Sequence, residues 1–151
     1  MKIKSMERYS VKAVDNDLEK LVAAGDYFFI NGDLESVVLE KLTDEEIWLF
    51  MLHFDQSCSS KEVIKAFKKR NLSPAGLIDL LCFGVAHPVL QMSFPIIALG
   101  LKFKSNKKSL NPPMAYLSSN DNKRSLGVGG QEEIWSANCR FLAKLKKENK
   151  K

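Results

Sequence analysis

Two histidines and three cysteines are the side chains here best suited to proton transfer, nucleophilic attack or metal binding, and their spacing joins none of them. His53 lies between Leu52 and Phe54 in an apolar run, and His87 precedes Pro88 in a turn. Neither has a partner at the separations a metal site uses. Both therefore read as structural, and no metal or other cofactor is expected. Cys139 precedes Arg140, a cation able to lower a thiol pKa. Without a neighbouring His to act as base, it is not read as a nucleophile. Cys58, Cys82 and Cys139 are odd in number and far apart, which fits thiols in a reducing cytoplasm better than a disulfide framework.

Two further patterns invite a chemical reading. The string Leu126-Gly-Val-Gly-Gly130 looks like a nucleotide loop, but it lacks a Lys-Ser/Thr pair and runs into Gln131-Glu-Glu133. Two carboxylates at that point oppose a phosphate, so the string reads as a turn or chain reversal. Two helices joined at Asn71-Leu72 have the spacing of a helix-turn-helix. The second offers Ala75, Gly76, Leu77, Ile78 and Asp79 where a DNA reader needs polar and basic groups. They read as two packed core helices. An active site gathered only in three dimensions stays open, although an enzyme is not the favoured reading.

Charge is the feature with a surface meaning. Residues 1–100 carry 11 Lys+Arg and 14 Asp+Glu, a net of −3; residues 101–151 carry 12 and 4, a net of +8, which together give +5. Lys102, Lys104, Lys107, Lys108, Lys123 and Arg124 fall around two neighbouring loops, and Lys144, Lys146, Lys147, Lys150 and Lys151 form a basic tail. The candidate partner-binding residues are Lys102, Lys104, Lys107, Lys108, Lys123, Arg124, Lys144, Lys146 and Lys147; a solubilising lysine face is the competing reading. If 96–103 pairs with the strands after it, the two groups share one side. Arginine is scarce and aromatics are not interleaved, so an acidic protein surface fits better than nucleic acid. The expected function is a non-catalytic intracellular protein-binding module of inhibitor or immunity type. The alternative is a nucleic-acid-binding accessory protein using the basic C-terminal portion.

The elements that would position these residues divide in texture. Asp15 and Asp17 open a helix that Gly25 stops; Asp33 caps a short one through Leu42. Thr43-Asp-Glu-Glu46 is a capping box for an apolar helix over Ile47–Phe54, and Ser59-Ser-Lys-Glu62 for another through Lys69. Ser73-Pro74 starts a fifth, ending near Gly84. Tyr27–Ile30 is a strand or a packed connector. Beyond Pro88 the pattern turns to strands at 96–103, 114–117 and 124–128, with a turn at 118–122. Residues 131–146 fit a helical face and also alternate; a short helix or turn at 131–137 and a strand at 139–146 are favoured. The expected fold is one α+β domain over 1–151. An N-terminal helical layer of about five helices (1–93) packs on a small C-terminal antiparallel sheet (94–146), followed by a basic tail (147–151). Trp48, Phe50, Phe54, Phe67, Leu77, Leu81, Phe94 and Trp135 are the expected core.

The bulk numbers suit this picture. With 151 residues, 45% hydrophobic and 27% charged, the chain is long enough to bury a core. Met1-Lys-Ile-Lys-Ser5 leads into Glu7 and Arg8 without the apolar stretch of a secretory signal. The longest apolar stretch, Phe94–Leu101, is too short for a bilayer, so a cytoplasmic location without membrane contact is expected.

From Leu72 onward the sequence resembles a group of small bacterial proteins to which no chemistry is assigned. The resemblance rests on Leu80-Leu81, Phe83-Gly84, Pro88, Gln91, Phe94-Pro-Ile-Ile-Ala-Leu-Gly100, Tyr116-Leu117, Arg124, Leu126, Trp135 and Arg140-Phe-Leu-Ala143. It implies a small intracellular bacterial protein with 140–145 as a closing strand, and it brings no site residues with it. The Lys-rich loop at 104–108 departs from that pattern.

Overall fold

Ile47-Trp-Leu-Phe-Met-Leu-His-Phe54 is apolar at both parities, which suits a strand inside a sheet that is covered on both faces. It lies inside such a sheet, although Trp48 on one face stays exposed. The computed structural model describes residues 1–13, 17–40, 46–105 and 111–146. Its strands are β1 (Ile3–Lys12), β2 (Phe29–Asn31), β3 (Glu46–Phe54), β4 (Leu72–Pro74), β5 (Ile96–Ala98), β6 (Pro113–Asn120), β7 (Lys123–Gly130) and β8 (Arg140–Leu145). The helices are α1 (Leu18–Gly25), α2 (Ser60–Lys69) and α3 (Leu77–Ala86). One eight-stranded mixed sheet runs β1-β3-β8-β5-β6-β7-β2, with β4 pairing β8 off that path.

The period-two alternation of the inner strands sorts side chains into two cores. Ile47, Leu49 and Met51 of β3 join Leu142, Ile96, Ala98, Leu117 and Leu126 beneath Leu21 of α1 and the buried face of α3. Phe50, Leu52 and Phe54 point the other way, to Ile97, Phe141 and Ala143 under Val63, Ala66 and Phe67 of α2. The result is three layers, with α1 and α3 on one side and α2 on the other. β8 is the hub: antiparallel to β3 through Leu52↔Phe141, and parallel to β5 through Ile97↔Phe141. Where β5 ends, β4 takes over the same edge through Leu72↔Leu145.

Local chemistry explains the joints. Ser59 Oγ accepts from the Glu62 amide at 3.1 Å, and Glu62 Oε1 accepts from the Ser59 amide at 2.9 Å, closing the expected capping box. Asp121 and Asn122 take left-handed conformations (φ 51° and 61°) at the tip of the β6–β7 hairpin, a geometry that Asn and Asp tolerate. Gly100 donates to Ala75 O at 2.9 Å, and a Cβ there would stand 2.5 Å from Pro74 O.

The expected five-helix layer on a small sheet is overturned. Among the described residues there are three α-helices, and the first 93 residues supply β1 to β4. The segment after Asp33 makes only a 3-10 turn, Leu34–Ser36. Residues 43–45 of the Thr43–Glu46 capping box lie outside the described residues, and Glu46 itself opens a strand. Ser73-Pro74 belongs to β4, and α3 starts instead from Gly76, whose amide Asp79 accepts at 2.8 Å. Of the short helix or turn expected around 131–137 no helix forms: Trp135 is fixed by an isolated bridge to Cys58, a turn closes through Cys139 N to Ser136 O, and β8 is the strand expected at 139–146. For Ile47–Phe54 the physical reason is that an apolar run has no helical or strand period of its own, and the partner strands decide.

Candidate docking surface

Among the described residues the candidate cations do not form one face. β5 and β8 are parallel and β6 runs back against β5, so Lys102 and Lys104 emerge at the end of the sheet where β8 finishes. Lys123 and Arg124 open β7 at the opposite end. Lys104 shares a cleft of about 540 Å3 with Asp17, Glu19 and Glu35. Lys123 Nζ sits 3.6 Å above the Phe28 ring. Lys146 is exposed, its amide bonded to Asn71 O. Lys107, Lys108 and Lys147 lie outside the described residues.

Two of the candidates are committed to the interior. The Arg124 guanidinium donates to Gln91 Oε1 at 2.9 Å, to Gly84 O at 2.8 Å and to Gly25 O, and lies 4.7 Å from the Tyr27 ring. Buried Gln91 in turn donates to Ser118 O and Ser125 O. This network ties the ends of α1 and α3 to the β6–β7 hairpin. Lys144 lies on the α3 side of β8, with Nζ 3.1 Å from Asp79 Oδ2 and 3.3 Å from Glu40 Oε2. Burial works to lower the Lys144 pKa, but Asp79 and Glu40 outweigh it and hold the ammonium form. Asp79 is 2% exposed, and its Oδ1 has no hydrogen-bond partner among the described residues.

Of the chemistry-bearing residues, Cys58 and Cys139 come close enough for their charges to interact. His53 Nε2 is 2.8 Å from Ala137 O. His87 packs against Tyr9 and Phe83, and burial lowers its pKa. Burial pushes the Cys58 thiol up to about 11, with Glu62 and Cys139 adding to it. The Cys139 thiol is also raised, burial outweighing its hydrogen bonds to Ser136 and the pull of Arg140. Among the described residues no group of three His, Cys, Asp or Glu could hold a metal ion. Gly127 is roofed by the Tyr116 ring, and the glycine string is part of strand β7, neither a phosphate loop nor the expected turn.

What the sequence reading missed is the outer third of the α2-side face. Met6, Arg8, Ser10 and Lys12 of β1 are registered with Leu52, Phe50, Trp48 and Glu46 of β3 and share that face. α2 covers Leu52 and Phe54 but stops short of the rest. Trp48 is 40% exposed, Met6 48%, and Leu145, which β8 brings level with Trp48, 54%. Trp48 was expected in the core; its half-buried neighbour Phe50 marks where the core ends. The Arg8 guanidinium covers one side of the indole at 3.9 Å. Ser10 hydrogen-bonds Glu46. The last turn of α2, with Lys68 and Lys69, and its C-cap Arg70 lead into Leu72 beside Leu145. The face is thus an aromatic and aliphatic patch with cations beside it. The alternation of β1 was the available signal.

No protein-family model, curated protein or solved structure matches the chain. Among the described residues no helix is long and apolar enough to cross a membrane. The surface chemistry therefore carries the functional reading.

Proposed function

We propose that this is a non-catalytic intracellular binding module that docks an acidic partner protein, in the manner of an inhibitor or immunity protein. The observation that carries this reading is the exposed Trp48, stacked under Arg8, with exposed Leu145 level with it and exposed Met6 further along the same face. Trp, Met and Arg are the side chains that interfaces concentrate at their centres. The cations of β1 and of the last turn of α2 favour a negatively charged partner and steer its approach. Nucleic acid fits less well, because Arg8 already occupies one face of the only aromatic ring in the patch that is widely exposed.

The test is native purification followed by identification of the stoichiometric partner, repeated with Trp48→Ala. An acidic protein retained by the wild type and lost by the folded variant supports the reading. A partner that the variant retains, or nucleic acid in its place, overturns it.

A further inference from the structure

The patch reaches the rim of the sheet, and the rim is a strand edge. Among the described residues β1 pairs only with β3, leaving the outer side of ten residues without a ladder. Such an edge presents unpaired amides and carbonyls and is a template for another strand. Its side chains specify which strand. From Ser5 to Lys12, the α2-side face carries Met6, Arg8, Ser10 and Lys12; the opposite face carries Ser5, Glu7, Tyr9 and Val11, with Val11 buried and Tyr9 partly so. Glu46, the carboxylate on the α2-side face, lies one strand further in and already holds Ser10.

We infer that β1 receives an extended segment of the partner as an added strand, with carboxylates at alternate positions facing Arg8 and Lys12 and β-branched residues between them. This rests on the docking reading above and specifies its mode: main-chain hydrogen bonds supply affinity, and alternate side chains supply specificity. A second copy of this chain fits poorly. A two-fold pairing of β1 with itself keeps each face on its own side, so Glu7 is never set opposite a cation. Centring the pair on Arg8 opposes Arg8 to its copy, and centring it on Ser10 opposes Arg8 to Lys12.

The test uses the full chain and a fluorescein-labelled peptide with four Glu-Val repeats. Two further versions are N-methylated on alternate residues, one on the Glu amides and one on the Val amides. A strand can lose the amides of one edge only, so one methylated version binds at least tenfold more weakly and the other binds as the parent does. Arg8→Glu with Lys12→Glu weakens the parent peptide at least tenfold, while Lys123→Glu leaves it unchanged. A Lys-Val peptide binding as well as Glu-Val, equal tolerance of both methylation patterns, or no binding at millimolar concentration overturns strand addition. So does displacement of the peptide by oligo-dT, or a dimer of the chain that excludes the peptide. If strand addition fails while Trp48→Ala still releases the native partner, the docking reading stands and only its mode is wrong.

Discussion

Lys144 shows how a candidate binding cation becomes structural. Its ammonium compensates Asp79, a carboxylate buried at the first turn of α3. Replacing Lys144 by Met strands that charge, and breaking such a pair costs about 3 kcal/mol. Adding Asp79→Asn to Lys144→Met should recover at least about 1 kcal/mol, because the two groups are coupled. Urea unfolding of the single and double variants measures both numbers. Titration gives a second check. The folded Cys58 thiol holds its proton from 9.0 up to about 11, and Tyr9, raised by burial and by Glu7, holds its own up to about 12. The unfolded chain sheds these protons earlier, so it binds fewer protons than the folded chain between those values. Stability therefore falls as pH climbs from 9 to 12. The raised Lys144 acts in the same direction: its contribution is intact below its unfolded value and lost above the folded one. Thermal melts from pH 7 to 11 should be level to about pH 9 and decline beyond it. By contrast Trp48→Ala, at a half-open site, loses chiefly a cation–π contact of about 1 kcal/mol.

At the scale of elements, capping chemistry was legible at α1 and α2 but misleading at Glu46 and Ser73-Pro74, which lie in strands, and strand partnership was not legible. Ser59 and Glu62 announce α2, Asp17 announces α1, and Asp121-Asn122 announces the hairpin, because each acts through neighbours in sequence. β3 was illegible because Ile47 and Leu52 face different cores, a fact settled by β1 and β8. The same non-locality hid the patch: Trp48 is exposed only because α2 stops short of it. It also hid the role of Arg124, whose acceptors on α1, α3 and the 3-10 turn Leu90–Met92 lie up to 99 residues away. A lysine cannot reproduce that fork of donors. Arg124→Lys should cost about 2 kcal/mol through acceptors left unpaired, lowering Tm by several degrees. Lys123→Ala, beside it but exposed over Phe28, should change Tm little.

For the whole molecule, the basic excess beyond residue 100 was plain in the composition, but its meaning was not. Strand order sends Lys102 and Lys104 to one end of the sheet and Lys123 to the other, so no single cationic face results from them. The surface that remains is the β1–β3 corner of the α2 side. A net charge of +5 should speed association with an acidic partner, and rising salt should slow the on-rate while leaving the off-rate nearly fixed. Stopped-flow kinetics across a range of ionic strength tests that. The most direct measurement is hydrogen exchange on the chain with and without its purified partner. Slowed exchange confined to Ile3–Lys12, Glu46–Phe54 and the end of β8 is the predicted footprint. Protection at the β6–β7 hairpin around Lys123, with β1 unchanged, would contradict it.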